Sequence, residues 1–366
     1  MTRPVGLGGI AVTPERVVIG NAELFHGDCQ TVMRDMADNS VDAIITDPPY
    51  FRVKGEAWDN QWDTPAKFLL WVGELCEQFE RILKPNGSLY FFASPQMAAR
   101  VECEIGKRFA VLNSITWRKG AGGLDAASRG NAACKEALRG WFPTSERIVF
   151  AEHYGSDAAA MGESGYRNKC DEAARATFGK YITATRAKYM LTMKALTEAV
   201  GAYGAVNHGG ACSNWENGNN IPTRDQYNKL KSTFPGYFAR EYEDLRREYE
   251  DLRREYEDLR REYEDLRRPF SVTARDQWSD VWDFDPVQAY PGKHPCEKPQ
   301  PLLCHILGAS TRPGAVVFDP FAGGGSMGEA CYSLGRQFIG VELCPDNYAK
   351  AALRLQAVKA QERLFA

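Results

Sequence analysis

Short apolar runs alternate with helical stretches towards both ends of this chain and stop alternating in its middle, and this limits what it can fold into. Val17–Ile19, Ala22–His26, Ala43–Thr46, Ser88–Phe92, Asn113–Trp117 and Arg147–Ala151 read as strands. Phe68–Leu83 carries Phe68, Leu69, Val72, Leu75, Phe79 and Ile82 at helical spacing, and Lys84-Pro85-Asn86-Gly87 closes it. The pattern resumes after about residue 276. Ala315–Phe318 is a strand, Asp319–Gly325 a glycine-rich loop, Ser326–Leu334 a helix, Phe338–Val341 a strand, and Asn347 to about 362 a last helix. Strands that alternate with helices bury both faces of a parallel sheet. The spacing predicts an α/β fold with a doubly wound, mainly parallel sheet, split into residues 1–155 and 276–366. Residues 156–275 are predicted to be a helical insert.

Composition sets outer bounds. Of 366 residues, 44% are hydrophobic and 25% charged, enough apolar material for a sizeable core. No apolar run is long enough to span a membrane, and MTRPVGLGGIAV at the start lacks a signal-peptide pattern. The ten cysteines form no C-x-x-C pair and the five histidines show no ligand spacing, so a reduced, metal-free, cytoplasmic chain is expected. Net charge is −3, which by itself argues against a nucleic-acid partner. That figure is an average. The four EYEDLRR copies at 241–268 hold twelve acids and eight arginines, whereas residues 165–240 hold eleven basic side chains against five acids.

The loop AVVFDPFAGGGS at 315–326 runs from a strand into three glycines at a helix start. Glycine lets backbone approach a ligand, and a helix N-terminus favours negative groups. The next strand ends at Glu342, placed to bind a ribose diol. The loop is not G-x-G-x-x-G, and Asp319 and Phe321 flank it, which fits a nucleoside with less phosphate contact than a dinucleotide. A plain tight strand–helix turn is the competing reading.

Asp47-Pro48-Pro49-Tyr50 follows a buried strand. Two prolines fix the turn and remove two backbone donors, leaving acceptors: the Asp47 carboxylate and the Pro48 carbonyl. Tyr50 adds an aromatic face. Acceptors beside a stacking surface suit a planar base with an exocyclic NH₂, whose lone pair they would localise for attack.

With these motifs in order, the chain resembles the amino-methylating DNA methyltransferases that use S-adenosyl-L-methionine, over about residues 21–153 and 276–360. GDCQTVMRDMADNSVDAIITDPPY, KHPCEKPQPLL at 293–303, FDPFAGGGS and IGVEL carry the resemblance, and their order is that of the family's beta group. It implies a Rossmann-like methyltransferase fold with an inserted target-recognition region that contains the heptad helix. It implies that Asp47, Pro48, Pro49 and Tyr50 hold and stack a base flipped out of double-stranded DNA. Asp28 would contact the cofactor's adenine and Glu342 its ribose. Asp319, Phe321, Gly323, Gly325 and Ser326 would form the methionine-side pocket. Lys298 would meet the cofactor carboxylate, with a plain surface lysine as the alternative. The loop departs from the family's common Gly-Ser-Gly-Thr, but Ser326 keeps a hydroxyl. The resemblance further implies a cytoplasmic protein of bacterial or phage-encoded type, a restriction-modification or orphan methylase. The Asp form of the tetrapeptide favours adenine N6. Cytosine N4, RNA, and an inactive DNA-binding or coiled-coil scaffold are the rivals.

Within the insert, KALTEAVG at 194–201 and SNWENGNNIP at 213–222 resemble a phage-repressor helix-turn-helix over about 190–232. Met190, Met193, Leu196 and Val200 would form the first helix's apolar stripe, Ser213 and Asn214 would read bases, and Lys188 and Lys194 would meet phosphates. The stretch from Gly201 to Trp215 is about five residues longer than that pattern allows. The alternative is a helical insert with incidental basic residues and a core Trp215. The heptads place Tyr242, Leu245, Tyr249, Leu252, Tyr256, Leu259, Tyr263 and Leu266 on an a/d seam, with Glu243–Arg247 as a recurring i,i+4 pair. A solvated spacer, an arm packed on the helix before Pro235, and a homodimer seam all remain open.

Overall fold

The computed structural model describes residues 14–53, 55, 59–119, 141, 143–164, 173–201, 210–273 and 276–365. In chain order the elements begin β1 (Glu15–Ile19), β2 (Ala22–His26), α1 (Cys29–Asp35), β3 (Val41–Thr46), α2 (Pro65–Ile82), β4 (Leu83–Ala93) and α3 (Ala98–Ile105). Next come β5 (Phe109–Arg118), β6 (Ser145–His153), α4 (Ser156–Ser164), a π-helical turn (Arg175–Gly179), α5 (Lys180–Lys188), α6 (Met193–Val200) and α7 (Gly210–Glu216). The rest are α8 (Arg224–Thr233), α9 (Tyr242–Leu266), β7 (Val281–Asp283), α10 (Gln300–Ser310), β8 (Val316–Asp319), α11 (Ser326–Ser333), β9 (Gln337–Glu342) and α12 (Pro345–Phe365). Two units divide the chain: Met1–Ser156 with Arg268–Ala366, and Asp157–Arg267.

The first unit holds a sheet ordered β1-β2-β9-β8-β3-β4-β6-β5-β7. Its central strands β2, β9, β8, β3 and β4 are parallel, and β6 runs antiparallel between β4 and β5. Strand β3 is apolar on successive residues because both faces are covered. Ala43 and Ile45 pack with Tyr90 and Phe92 under α10, α11 and α12, while Ile44 packs with Leu89 and Phe91 under α1, α2 and α3. Thr64 caps α2 by accepting from Lys67 N, Pro65 occupies its first turn, and the Leu83 N–H closes it on Phe79 O. Lys84–Gly87 does not precede the strand as the sequence suggests. Leu83 already pairs with Val41, Ser88 pairs with Ala43, and the four residues between bulge out of the ladder.

Strand β3 is followed by β4 on one side and β8 by β9 on the other, while β3 and β8 are neighbours. This is the topological switch point of a doubly wound sheet, where the strands' carboxyl ends leave a crevice.

In the second unit Phe178, Leu196, Trp215, Tyr227, Phe238 and Leu245 form the centre of a helical core. Trp215 is buried there, as the alternative reading has it. Met190 departs from the expected stripe. It lies in the turn between α5 and α6 with φ +53°, and it is 89% exposed, so the buried face of α6 begins after it. Residues 202–209 of the helix-turn-helix span lie outside the described residues. In α9, Tyr242 and Leu245 pack into the helical core, with Tyr242 facing Tyr227 of α8 at 5.9 Å between ring centroids. Tyr263 near the far end is buried and donates to Asp157 Oδ1 at 3.1 Å, whereas Leu252 between them is 38% exposed. The expected Glu243–Arg247 pairing is replaced. Glu243 pairs with Arg224 of α8, and along α9 the i,i+4 pairs are Arg246–Glu250 and Arg253–Glu257.

Among the described residues no helix is long and apolar enough to cross a membrane, and no cluster of three His, Cys, Asp or Glu is placed to hold a metal.

Candidate active site

A cavity of about 750 Å³ opens at the carboxyl ends of β3 and β8, and its lining comes entirely from the first unit. The Asp47–Tyr50 tetrapeptide enters it directly from β3, and Asp319 is the last residue of β8. Glu342 ends β9, and Asp28 follows β2. Sequence positions more than three hundred residues apart therefore meet because β2, β9, β8 and β3 lie side by side in one sheet.

The glycine loop is shaped by positions that exclude side chains. Gly323 and Gly325 have φ of +53° and +79°, and a Cβ on Gly325 would press at 3.0 Å on the Ala351 backbone. Glu342 fixes the loop: its Oε2 accepts from Gly323 N at 2.8 Å and its Oε1 from Cys344 N at 2.8 Å. The His294 ring lies against Gly323, bringing the 293–303 segment to the loop. Phe321 packs edge-on to Trp71 at 5.7 Å and forms an apolar wall. Asp28 caps α1, accepting from Thr31 N and Thr31 Oγ1 at 2.9 Å, with its carboxylate at the cavity edge. Ser326 opens α11, and its carbonyl accepts from Gln300 Nε2 at 2.8 Å.

Lys298 is no surface lysine: its side chain is 8% exposed. Its ammonium donates to Asp47 Oδ2, stands 3.3 Å from Glu146 Oε2, and lies over the Phe92 ring at 5.0 Å. The residue that the resemblance assigns to the cofactor carboxylate thus sits on the tetrapeptide. Tyr50 Oη donates towards Asp47 Oδ1 at 2.7 Å and Glu146 Oε2 at 3.1 Å. Lys119 Nζ binds Glu146 Oε1 at 2.5 Å. Glu146 on β6, Lys119 after β5, and Trp117 and Phe92 in the wall are not among the sequence-predicted site residues. Only the placement of β6 beside β4 brings Glu146 to the site, and no local spacing announces it.

Electrostatics follow from burial. Burial raises the Asp47 carboxyl above its usual range; Lys298 opposes this and Glu146 adds to it. Burial also acts against ionisation of Glu146, but Lys298 and Lys119 outweigh it and hold the carboxyl down at about 2. Burial pushes Asp319 up to about 7, against the hydrogen bond it accepts from Phe321 N and reinforced by Asp47 and Glu342. Burial likewise raises Glu342. Thr46 Oγ1 and Ser94 Oγ, both in the cavity wall, are buried with no hydrogen-bond partner among the described residues.

The other predicted residues belong to the second unit. Lys188 ends α5 over the Tyr189 ring at 5.0 Å, and Lys194 faces Glu198 at 3.8 Å. Ser213 and Asn214 lie on α7, where Asn214 accepts from Asn219 at 3.2 Å. The basic surplus of residues 165–240 is partly consumed within the unit: Arg186, Arg224, Lys231 and Arg240 each pair with a glutamate.

The family model for DNA methylases matches residues 41–353. DNA adenine methyltransferase YhdJ of Escherichia coli (strain K12) is 24% identical over 339 residues, covering 90% of this chain and 81% of that protein. Type II methyltransferase M2.DpnII of Streptococcus pneumoniae is 40% identical over 84 residues, 22% of this chain and 31% of that protein. Among solved structures, the M1.HpyAVI–SAM complex aligns with a TM-score of 0.47 at 17% identity, covering 91% of this chain and 98% of that one. The cytosine-N4-specific PvuII DNA methyltransferase aligns with a TM-score of 0.49 at 12% identity, covering 94% and 93%.

Proposed function

The chain belongs to the DNA methylase family, and from that premise we propose that it transfers a methyl group from S-adenosyl-L-methionine to the exocyclic N6 of an adenine flipped out of duplex DNA. One observation carries the reading: the acceptor tetrapeptide at the end of β3 and the glycine loop at the end of β8 open into one cavity at the switch point.

The residues present fit the cofactor. Glu342 offers a carboxylate to a ribose diol, Trp71 and Phe321 offer an apolar wall to a purine, and the backbone at Gly323 and Gly325 admits close approach. Asp319 is a buried acid whose carboxyl is raised to about 7, suited to a ligand's ammonium. Asp28 stands at the adenine edge and Ser326 at the loop's end. When bound, the cofactor supplies an activated methyl group on a sulfonium. The protein's part is placement. Asp47 and the Pro48 carbonyl accept the two N–H bonds of the target amino group, Pro49 rigidifies the turn, and Tyr50 stacks on the base. Lys298 holds Asp47 rather than the cofactor.

For the helical unit, Lys188 and Lys194 are assigned to phosphates and Ser213 and Asn214 to base edges of double-stranded DNA. Adenine is favoured by the Asp-led tetrapeptide and by the name of the Escherichia coli relative. Incubating the protein with duplex DNA and labelled cofactor, then weighing the digested nucleosides, tests the reading. N6-methyladenine is expected. N4-methylcytosine would reassign the base, and no transfer would overturn the function.

A further inference from the structure

Asp47 has both oxygens engaged in this structure, Oδ1 by the Tyr50 hydroxyl at 2.7 Å and Oδ2 by Lys298. Each donor draws charge from the carboxylate and weakens its pull on a third. The function proposed above requires Asp47 to accept a target N–H strongly. Lys298 cannot withdraw, because it is buried between two carboxylates and under Phe92. The Tyr50 hydroxyl can. It carries a single proton and stands 3.1 Å from Glu146 Oε2, a second acceptor that is itself fixed by Lys119 at its other oxygen. A hydroxyl between two carboxylates has two orientations, and rotation about one bond exchanges them.

We propose that Glu146 is a positioning residue for methyl transfer: it receives the Tyr50 hydroxyl when the target amino group reaches Asp47, leaving Asp47 Oδ1 to that group. No bond to carbon changes in this step. The Tyr50 proton stays on its oxygen and exchanges one acceptor for another. In this role Glu146 acts through Tyr50, whose hydroxyl it accepts at 3.1 Å. The inference rests on the methyltransferase reading, and the test separates the two.

Single-turnover methylation of duplex DNA is to be measured for E146Q and E146L, each alone and in a Y50F background, which keeps the ring and removes the hydroxyl. E146Q retains an acceptor and E146L none, so losses of about tenfold and about hundredfold in the transfer rate are expected, with KM for the cofactor within about twofold. In the Y50F background there is no hydroxyl to relocate, and the E146L loss should shrink to about tenfold or less. Losses of equal size in both backgrounds would overturn the inference, since Glu146 would then serve Lys298 alone. A loss confined to KM for the cofactor would overturn it too. If E146L does not fold, the isosteric E146Q decides by the same rule, its loss shrinking to about threefold. Wild-type protein that transfers methyl groups while the losses stay additive sinks only this inference. Wild-type protein that transfers none sinks the methyltransferase reading and this inference with it.

Discussion

Lys298 carries its ammonium to the carboxylate of Asp47, 251 positions earlier in the chain. The pair is buried, so its removal has two effects. Lys298→Met leaves Asp47 and Glu146 as buried like charges without their shared cation, which should cost about 3–5 kcal/mol of stability. It also removes the group that lowers the Asp47 pKa, already raised by burial. Asp47 would then ionise only at higher pH. The acid limb of the pH–rate profile should move up, with losses largest on the acid side and partly recovered as pH rises. An unmoved acid limb would separate Lys298 from Asp47 function.

Asp47→Ala removes the proposed acceptor while leaving the glycine loop and Glu342 in place, because the loop is held by its own bonds at Gly323 and Cys344. Methyl transfer should vanish, and cofactor affinity by calorimetry should stay within about threefold. Undiminished turnover in a labelled-methyl assay would remove Asp47 from the chemistry.

How much of this was legible in sequence follows from what kind of signal each residue leaves. Asp319 and Glu342 end apolar strands and Asp47 directly follows one, so local pattern locates them, and the switch point brings them together. Glu146 and Lys119 have no such mark. They matter because β6 and β5 fold back antiparallel beside β4, a pairing that no local spacing specifies. Lys298 was visible as part of a motif, but its partner was not, since burial against Asp47 is a tertiary fact. The helical unit shows the same limit for charge. Counting finds a basic surplus, yet Glu241, Glu243 and Glu248 of the repeat region neutralise Lys231, Arg224 and Arg240.

Asp319 gives a pH dependence with a definite sign. Its folded carboxyl lies at about 7, above the ordinary 3.8, so the folded protein binds the extra proton between those values. Stability of the cofactor-free protein should therefore fall as pH rises from about 4 to about 7 and level off above, by up to about 4 kcal/mol at about 1.4 kcal/mol per unit. A ligand ammonium beside Asp319 would lower its pKa, so cofactor binding should release a proton and tighten as pH rises towards 7. Asp319→Asn should flatten both trends. Calorimetry in buffers of different ionisation enthalpy would detect the proton, and its absence would place the ammonium elsewhere.

Lys188 and Lys194 are the sequence-predicted phosphate contacts, and neither is buried in its unit. Reversing both to Glu should weaken DNA binding and lower the salt slope by about 0.9 for each phosphate no longer neutralised. Fluorescence anisotropy across salt concentrations reads this directly. Weaker binding with an unchanged slope would mean that the lysines act through fold rather than phosphate.

Deleting one EYEDLRR copy from α9 tests whether its length is set. The helix is fixed near its start, where Leu245 is buried in the helical core, and again near its end, where Tyr263 is buried and bonds Asp157. Seven fewer residues shorten it by about 10 Å and rotate its far end by about 20°. The repeats are identical, so the packing near the start can be rebuilt by the next copy. Asp157 can then no longer be reached from the far end. The deletion should therefore remove the burial of one tyrosine and one hydrogen bond, together about 2–4 kcal/mol, local to the helical unit. Limited proteolysis should show earlier cleavage within residues 157–267. If that unit reads DNA, sequencing of methylated sites should show a changed preference as well. Unchanged cleavage would mean that the Tyr263–Asp157 contact does not hold the helix.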